Sequence, residues 1–344
     1  MKKFFSLFCA FLFLISSLYA QLPDKDKKES KKAYNKAVEY VQAGNYEPAL
    51  SYLEASLEYD PSNTDALLLA AKTKIEINNI LAALADFHLL TERAPGMGEP
   101  YFYIAYLKFQ EDTTELIAQY FSEAIELGFK TPHSYYYRGL FNLIHEDYTS
   151  AVSDFTNAIN LKDDFARAYH DRAAAKRALG DMQGALYDYR LATSYKPDFP
   201  LAFNNMGSVK IILGDYQGAI EDYSKAIELN PEFHIALNNR GSAKYFLGDL
   251  EGALEDFNQA IQIGAQYLFA KNNKACVLAK QMELEESVEI YNEVISLNDD
   301  FASAYLNRGL VKELMGDLDG ACKDWNKALE LGVEQAAQYV DECN

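Results

Sequence analysis

Basic residues, cysteines and catalytic motifs are what this sequence has least of. Its 344 residues carry 32 Lys and Arg against 51 Asp and Glu, a net charge of −19. A polyanion of that size repels phosphate backbones and acidic lipid surfaces, so nucleic acid is not an expected partner. The five histidines, His88, His133, His145, His170 and His234, show no ligand spacing, which leaves no expected metal site. There is no GxGxxG, GxxxxGK[ST], GxSxG or HExxH, so neither a phosphate cradle nor a hydrolytic centre is written here. The expectation is a protein that is not an enzyme and needs no cofactor.

Long apolar runs are also missing, with one exception at the N-terminus. Lys2 and Lys3 precede an apolar stretch from Phe4 to Leu18, broken only by Ser6, Ser16 and Ser17, and Leu18-Tyr19-Ala20 then places a small residue before Gln21. That layout reads as a secretory signal peptide over residues 1–20, cleaved between Ala20 and Gln21. The run falls short of the roughly 20 residues needed to span a bilayer. Cys9 lies inside the run and far from the cleavage point, unlike a lipid-anchoring cysteine. The mature chain is expected to be exported, periplasmic or extracellular, without lipid insertion, and its loss of two lysines makes the net charge −21. Residues 21–29, rich in Lys, Asp and Glu, read as a charged linker or a frayed helix start.

Against these absences stands one dominant regularity. Written in blocks of 34 from Ser30, the sequence aligns with itself without insertion or deletion through Gln335. The nine blocks are 30–63, 64–97, 98–131, 132–165, 166–199, 200–233, 234–267, 268–301 and 302–335. Small residues recur at Ala37, Ala71, Ala105, Gly139, Ala173, Gly207, Gly241, Ala275 and Gly309. A Gly-Asn or Gly-Asp turn pair follows, as at Gly44-Asn45, Gly180-Asp181, Gly214-Asp215, Gly248-Asp249 and Gly316-Asp317. Then come a small residue, a large one four positions on and another small one three further, such as Ala185, Tyr189 and Ala192 or Ala321, Trp325 and Ala328. The i, i+4, i+7 spacing is one face of an α-helix. Pro61, Pro95, Pro197 and Pro231 close several blocks, where proline stops the second helix. Each block is thus a helix A, a tight turn and a helix B.

This pattern resembles the tetratricopeptide repeat, over about 30–335. The resemblance implies an all-α, right-handed α-solenoid of about nine helix-turn-helix repeats, with helix A on the concave surface and helix B outside. Block three departs from the pattern with Asp112-Thr113-Thr114 at the turn and Ile117 at the small site, and block eight with Met282 and Ser287. Residues 336–344 continue the register as a truncated first helix, with Tyr339 and Cys343 at the large and small offsets, and are expected to cap the stack. Cys322 and Cys343 are candidates for a disulfide that ties this cap down; two small buried side chains are the alternative. Cys276 has no evident partner.

The resemblance also implies a groove that binds another protein or an extended peptide. Helix A residues not needed for packing are its candidate lining. In blocks three and four these are aromatic, Phe102, Tyr103, Tyr106, Phe109, Tyr136 and Tyr137, with Tyr103 and Tyr137 expected to be the exposed ones. In blocks six to nine they are asparagines: Asn204-Asn205, Asn238-Asn239, Asn272-Asn273 and Asn307. A carboxamide offers a donor and an acceptor, the pair that a peptide backbone presents, and such a ladder resembles the one in the repeats of O-linked N-acetylglucosamine transferase. The same asparagines could instead join neighbouring helices. The family's two-carboxylate clamp has no counterpart, since its first offsets hold pairs such as Tyr34 with Val38, Leu68 with Lys72 and His170 with Ala174.

Arg138, Arg172, Arg240 and Arg308 are each followed 16 residues later by an aspartate, Asp154, Asp188, Asp256 and Asp324. The partner in the preceding block fails at Tyr120 and Ile290, so pairing within a block is expected, worth about 1 kcal/mol or less if exposed. The functional expectation is a non-catalytic interaction scaffold of the bacterial envelope. A self-assembling structural component and a substrate-docking subunit of a separate enzyme are the other readings, and the oligomeric state is open.

Overall fold

The computed structural model describes residues 23–109 and 114–343; the signal-peptide reading at residues 1–20 lies outside them. Among the described residues the secondary structure is helical throughout, so the fold is all-α. The chain divides after Asp163 into two units. The first contains α1 (Asp24–Gln42), α2 (Tyr46–Tyr59), α3 (Thr64–Glu76), α4 (Ile80–Arg93), α5 (Gly98–Lys108), α6 (Glu115–Glu126), α7 (Pro132–Ile144) and α8 (Tyr148–Leu161). The second contains α9 (Ala166–Ala178), α10 (Met182–Tyr195), α11 (Pro200–Ile212), α12 (Tyr216–Leu229), α13 (His234–Leu247), α14 (Leu250–Ile263), α15 (Leu268–Lys280), α16 (Leu284–Leu297), α17 (Ala302–Leu314) and α18 (Leu318–Glu330). Odd-numbered helices are the A helices and even-numbered ones the B helices, and each unit is a stack of A–B hairpins.

The Gly-Asp dipeptide makes the hairpin by acting on both helices. Gly180, Gly214, Gly248 and Gly316 take φ between 80° and 86°, the left-handed turn that ends helix A. The next residue caps helix B: the Asp181, Asp215, Asp249 and Asp317 carboxylates each accept from the backbone N–H three residues on, at 2.9 Å. At Asn78 (φ 59°), Glu146 (φ 62°) and Met282 (φ 65°), which hold this offset without glycine, the chain still takes the same conformation; the block-three turn at Asp112-Thr113 lies outside the described residues. Left-handed backbone costs a residue with a Cβ about 1–2 kcal/mol. Met282→Gly is therefore expected to stabilise the second unit by up to about 1 kcal/mol, read from the urea midpoint.

The register residues form the core. Ala37, Leu53, Phe87, Ile104, Ile117, Phe121 and Phe155 are fully buried in the first unit, and Ala185, Tyr189, Ala253, Phe257 and Ala275 in the second. At Gly207 an added Cβ would lie 2.8 Å from the Tyr223 ring, so helices A and B touch there only because the side chain is absent. Ser287, in block eight, fills the small site with its hydroxyl donating to the Ala275 carbonyl at 2.8 Å.

Two sequence expectations are corrected. Residues 24–29 are not a linker but the helix start given as its alternative: they form the first turns of α1, whose Asp24 and Asp26 suit a helix N-terminus and whose Ser30, Ala33 and Ala37 are buried. Nor does the C-terminal segment continue as a regular helix. It forms a 3-10 turn at Glu334–Ala336, a short helix α19 (Ala337–Val340) and a second 3-10 turn at Asp341–Cys343.

The Cys322 and Cys343 sulfur atoms are bonded, across 21 residues of sequence, and Tyr339 stacks on Trp325 with ring centroids 5.1 Å apart. In the chain-entropy account, closing such a loop stabilises by about 3 kcal/mol at most. Reduction is accordingly expected to expose the amides of 334–343 to hydrogen exchange while leaving α9–α16 protected.

The Arg-Asp pairs form within blocks, as spaced. Arg138, Arg172, Arg240 and Arg308 each reach their aspartate with Nε and Nη2, the Nη2 distances lying between 2.6 and 2.7 Å. The carboxylates are not exposed: Asp154, Asp188, Asp256 and Asp324 are all buried. Lys176, Lys244 and Lys312 add a second cation at 2.7–2.9 Å. The scale of an exposed ion pair therefore does not apply, because removing one member leaves buried charge behind.

Candidate functional site

In the second unit the paired asparagines of the A helices are joined into one hydrogen-bonded chain. Asn307 Nδ2 donates to Asn272 Oδ1 at 3.2 Å, and Asn272 donates to Asn273 at 3.2 Å. Asn273 donates to Asn238 at 3.0 Å, and Asn238 to Asn239 at 3.4 Å. Asn239 donates to Asn204 at 3.1 Å, and Asn204 to Asn205 at 3.2 Å. Asn205 donates to His170 Nε2 at 3.0 Å, whose Nδ1 faces the Asp171 carboxylate at 2.7 Å. Since Nε2 accepts, the imidazole proton sits on Nδ1 and points at Asp171. Every amide donates in the same direction along α17, α15, α13, α11 and α9, and such chains strengthen their members.

The register explains where this relay starts and stops. His170, Asn204, Asn238 and Asn272 occupy one offset of the repeat, and Asp171, Asn205, Asn239, Asn273 and Asn307 the next. Leu306 stands where the next inner asparagine would be, so the relay ends at Asn307. The His170–Asp171 terminus was missed in the sequence, although both columns could have been extended one block upstream.

Two consequences follow for the expected groove lining. Asn204 and Asn238, like Asn272, are buried; they cannot line an open groove, because their carboxamides are enclosed between neighbouring A helices. Asn205, Asn239, Asn273 and Asn307 are half-buried, and an amide has one more N–H and one more lone pair than the relay itself uses. They form the outer edge of the relay. Asn238→Ala removes both an acceptor for Asn273 and a donor for Asn239, so it is expected to cost about 1–3 kcal/mol in the second unit, measured by urea unfolding.

The aromatic positions of the first unit are rearranged relative to expectation. Phe102 and Tyr136 are buried, because each packs against the second helix of its own hairpin: Phe102 lies 6.1 Å from Phe121 and Tyr136 lies 5.8 Å from Phe155, between ring centroids. Tyr103 is half-buried, stacked 5.0 Å from Phe87 with Lys72 over its ring. Burial pushes its hydroxyl pKa up, against the nearby Lys72 charge. Tyr137 is half-buried among Phe102, Tyr106, Phe109 and Phe121. Tyr106, rather than Tyr103 or Tyr137, is the exposed member of the group.

Among the described residues no group of three or more His, Cys, Asp or Glu is placed to hold a metal ion. Burial pushes the Cys276 thiol up in pKa, away from the thiolate form that nucleophilic chemistry needs.

Comparison with known proteins agrees with the repeat. Tetratricopeptide-repeat family models match residues 40–102, 200–233 and 235–266. No curated protein matches the chain. Among solved structures, the Cut9–Hcn1 hetero-tetramer of the APC/C is 13% identical, with a TM-score of 0.58 over 91% of this chain and 76% of that one. A tetratricopeptide repeat protein from Parabacteroides merdae is 16% identical, with a TM-score of 0.51 over 92% of this chain and 99% of that one. Pseudomonas aeruginosa pilF is 18% identical, with a TM-score of 0.53 over 61% of this chain and 95% of that one. At these identities the likeness shows the fold.

Proposed function

From a chain built of tetratricopeptide repeats, we propose a non-catalytic scaffold that holds an extended polypeptide along the A-helix face of its second unit, in the bacterial envelope. The observation that carries the reading is the outer edge of the amide relay. Asn205, Asn239, Asn273 and Asn307 stand at fixed intervals on successive A helices, half-buried and pinned by their inner neighbours. Pinned side chains lose little entropy on binding, and a row of amides matches the alternating donors and acceptors of a main chain. The polypeptide would thus be recognised largely by its backbone.

Export is part of the same proposal. It rests on the Lys2-Lys3, Phe4–Leu18 and Ala20 pattern and is supported by the Cys322–Cys343 bond, which persists in oxidising compartments. Sequencing the N-terminus of the native protein should give Gln21 first; a protein retained in the cytoplasm with Met1 overturns it. For the groove, peptides selected on the wild-type chain from a random library should lose binding to an Asn205→Ala, Asn239→Ala double variant whose helical circular dichroism is unchanged. Equal binding by the two chains rejects the amide edge as the contact surface.

A further inference from the structure

One offset of the repeat is occupied by a large side chain in almost every A helix of the two units: Leu143, Arg177, Ile211, Tyr245 and Glu313. In α15 the residue there is Ala279. The space its neighbours fill is left open, as a cavity of about 270 Å³ between α13, α15 and α17. It lies beside Asn307, the open end of the amide relay, and so on the face where the polypeptide is placed above.

The lining defines what fits. Its walls are the Tyr245 ring, Leu310 and Leu314. The polar atoms near its base satisfy each other, Cys276 Sγ and Tyr291 Oη lying 3.1 Å apart. Burial pushes the pKa of both groups up, so neither supplies a charge at neutral pH. At the mouth, the Lys280 ammonium sits 4.5 Å from the centre of the Tyr245 ring and repels a cationic side chain. Asn307 directs its Nδ2 to Asn272 and Cys276, while its carbonyl oxygen receives no hydrogen bond among the described residues. The volume is below the roughly 300–1,000 Å³ of whole small-molecule sites, which suits one side chain.

We propose that this cavity is an anchoring subsite for one large uncharged apolar side chain, aromatic or branched aliphatic, of the polypeptide on the A-helix face, with the Asn307 carbonyl accepting a main-chain N–H beside it. The subsite rests on the polypeptide-binding reading, and the two can fail separately. Random peptides displayed on phage are selected in parallel on the wild-type chain and on Ala279→Leu, both checked for helicity and melting temperature, with Ala279→Val as a smaller filling. On the wild type, the enriched peptides should share one position restricted to large apolar residues and free of Lys and Arg. On Ala279→Leu that restriction should vanish, and wild-type-selected peptides should bind about tenfold more weakly or worse, with Ala279→Val between. Enrichment without a fixed apolar position, or the same position restricted equally on Ala279→Leu, overturns the subsite alone. No enrichment on either chain overturns the polypeptide reading and the subsite with it.

Discussion

Asp188→Ala should lower the stability of the second unit by about 3–5 kcal/mol, the largest expected loss from deleting a single charged side chain here. Asp188 is fully buried, and it takes two hydrogen bonds from Arg172, at 2.8 and 2.7 Å, and an ion pair with Lys176 at 2.7 Å. Alanine would leave two largely enclosed cations facing one another without a carboxylate. The same offset supplies the control. At Asp222 the arginine is replaced by Met206, and Lys210, at 2.6 Å, is the ion-pair partner. Burial pushes the Asp222 carboxyl pKa up, with Lys210 only partly opposing it. An acid whose folded pKa is raised favours folding only when protonated, so its ionisation opposes folding at neutral pH and that opposition fades as pH falls through the raised value. Asp222→Asn should therefore cost under about 1 kcal/mol at neutral pH and flatten the acid side of the stability profile. Urea unfolding of the three proteins at several pH values measures both effects; equal losses at Asp188 and Asp222 would reject the role given to the arginine.

Much of this fold was legible because each repeat states the same packing problem. A glycine at 139, 207, 241 or 309 and an aromatic at 155, 223, 257 or 325 recur together, and the structure brings each pair into contact. The Arg-to-Asp spacing of 16 was equally readable, since it links two helices of one hairpin whose register the turn fixes. Burial was harder to read. Asn204 and Asn205 are adjacent and chemically identical, yet one is enclosed and the other is at the edge; that difference depends on the rotation of α11 against its neighbours, which pattern alone does not set. The lysine column at Lys176, Lys210, Lys244 and Lys312 is not legible from the Arg-to-Asp spacing, because a lysine one helical turn beyond the arginine reads equally well as a solvated side chain until the shared aspartate is seen to be buried. In block eight, Leu278 and Ile290 replace the lysine and aspartate of that cluster, an apolar exchange that keeps the junction without buried charge. The Ala279 cavity belongs to the same repeat, and it was visible only as a missing side chain in a column of large ones.

The other large effect lies at the C-terminal end. Trp325 is buried, stacked on Tyr339, and packed so closely on Gly309 that a Cβ there would lie 2.4 Å from the indole nitrogen. Trp325→Ala should cost the last hairpin about 3–5 kcal/mol, as transfer and cavity terms add. Trp325→Phe should cost less than about 1.5 kcal/mol, because phenylalanine is what Phe155 and Phe257 place at the same offset. The indole Nε1 is also enclosed with no hydrogen-bond acceptor among the described residues, so its removal sacrifices no bond and relieves a buried donor. The Cys322–Cys343 bond is present in both variants, which isolates packing from loop closure. In a stack each repeat leans on its neighbours, so the alanine variant should lose exchange protection in α17, α18 and α19 first, with α9–α14 unchanged. A phenylalanine variant as damaged as the alanine variant would show that the indole ring itself, rather than the filled space above Gly309, holds the end of the stack.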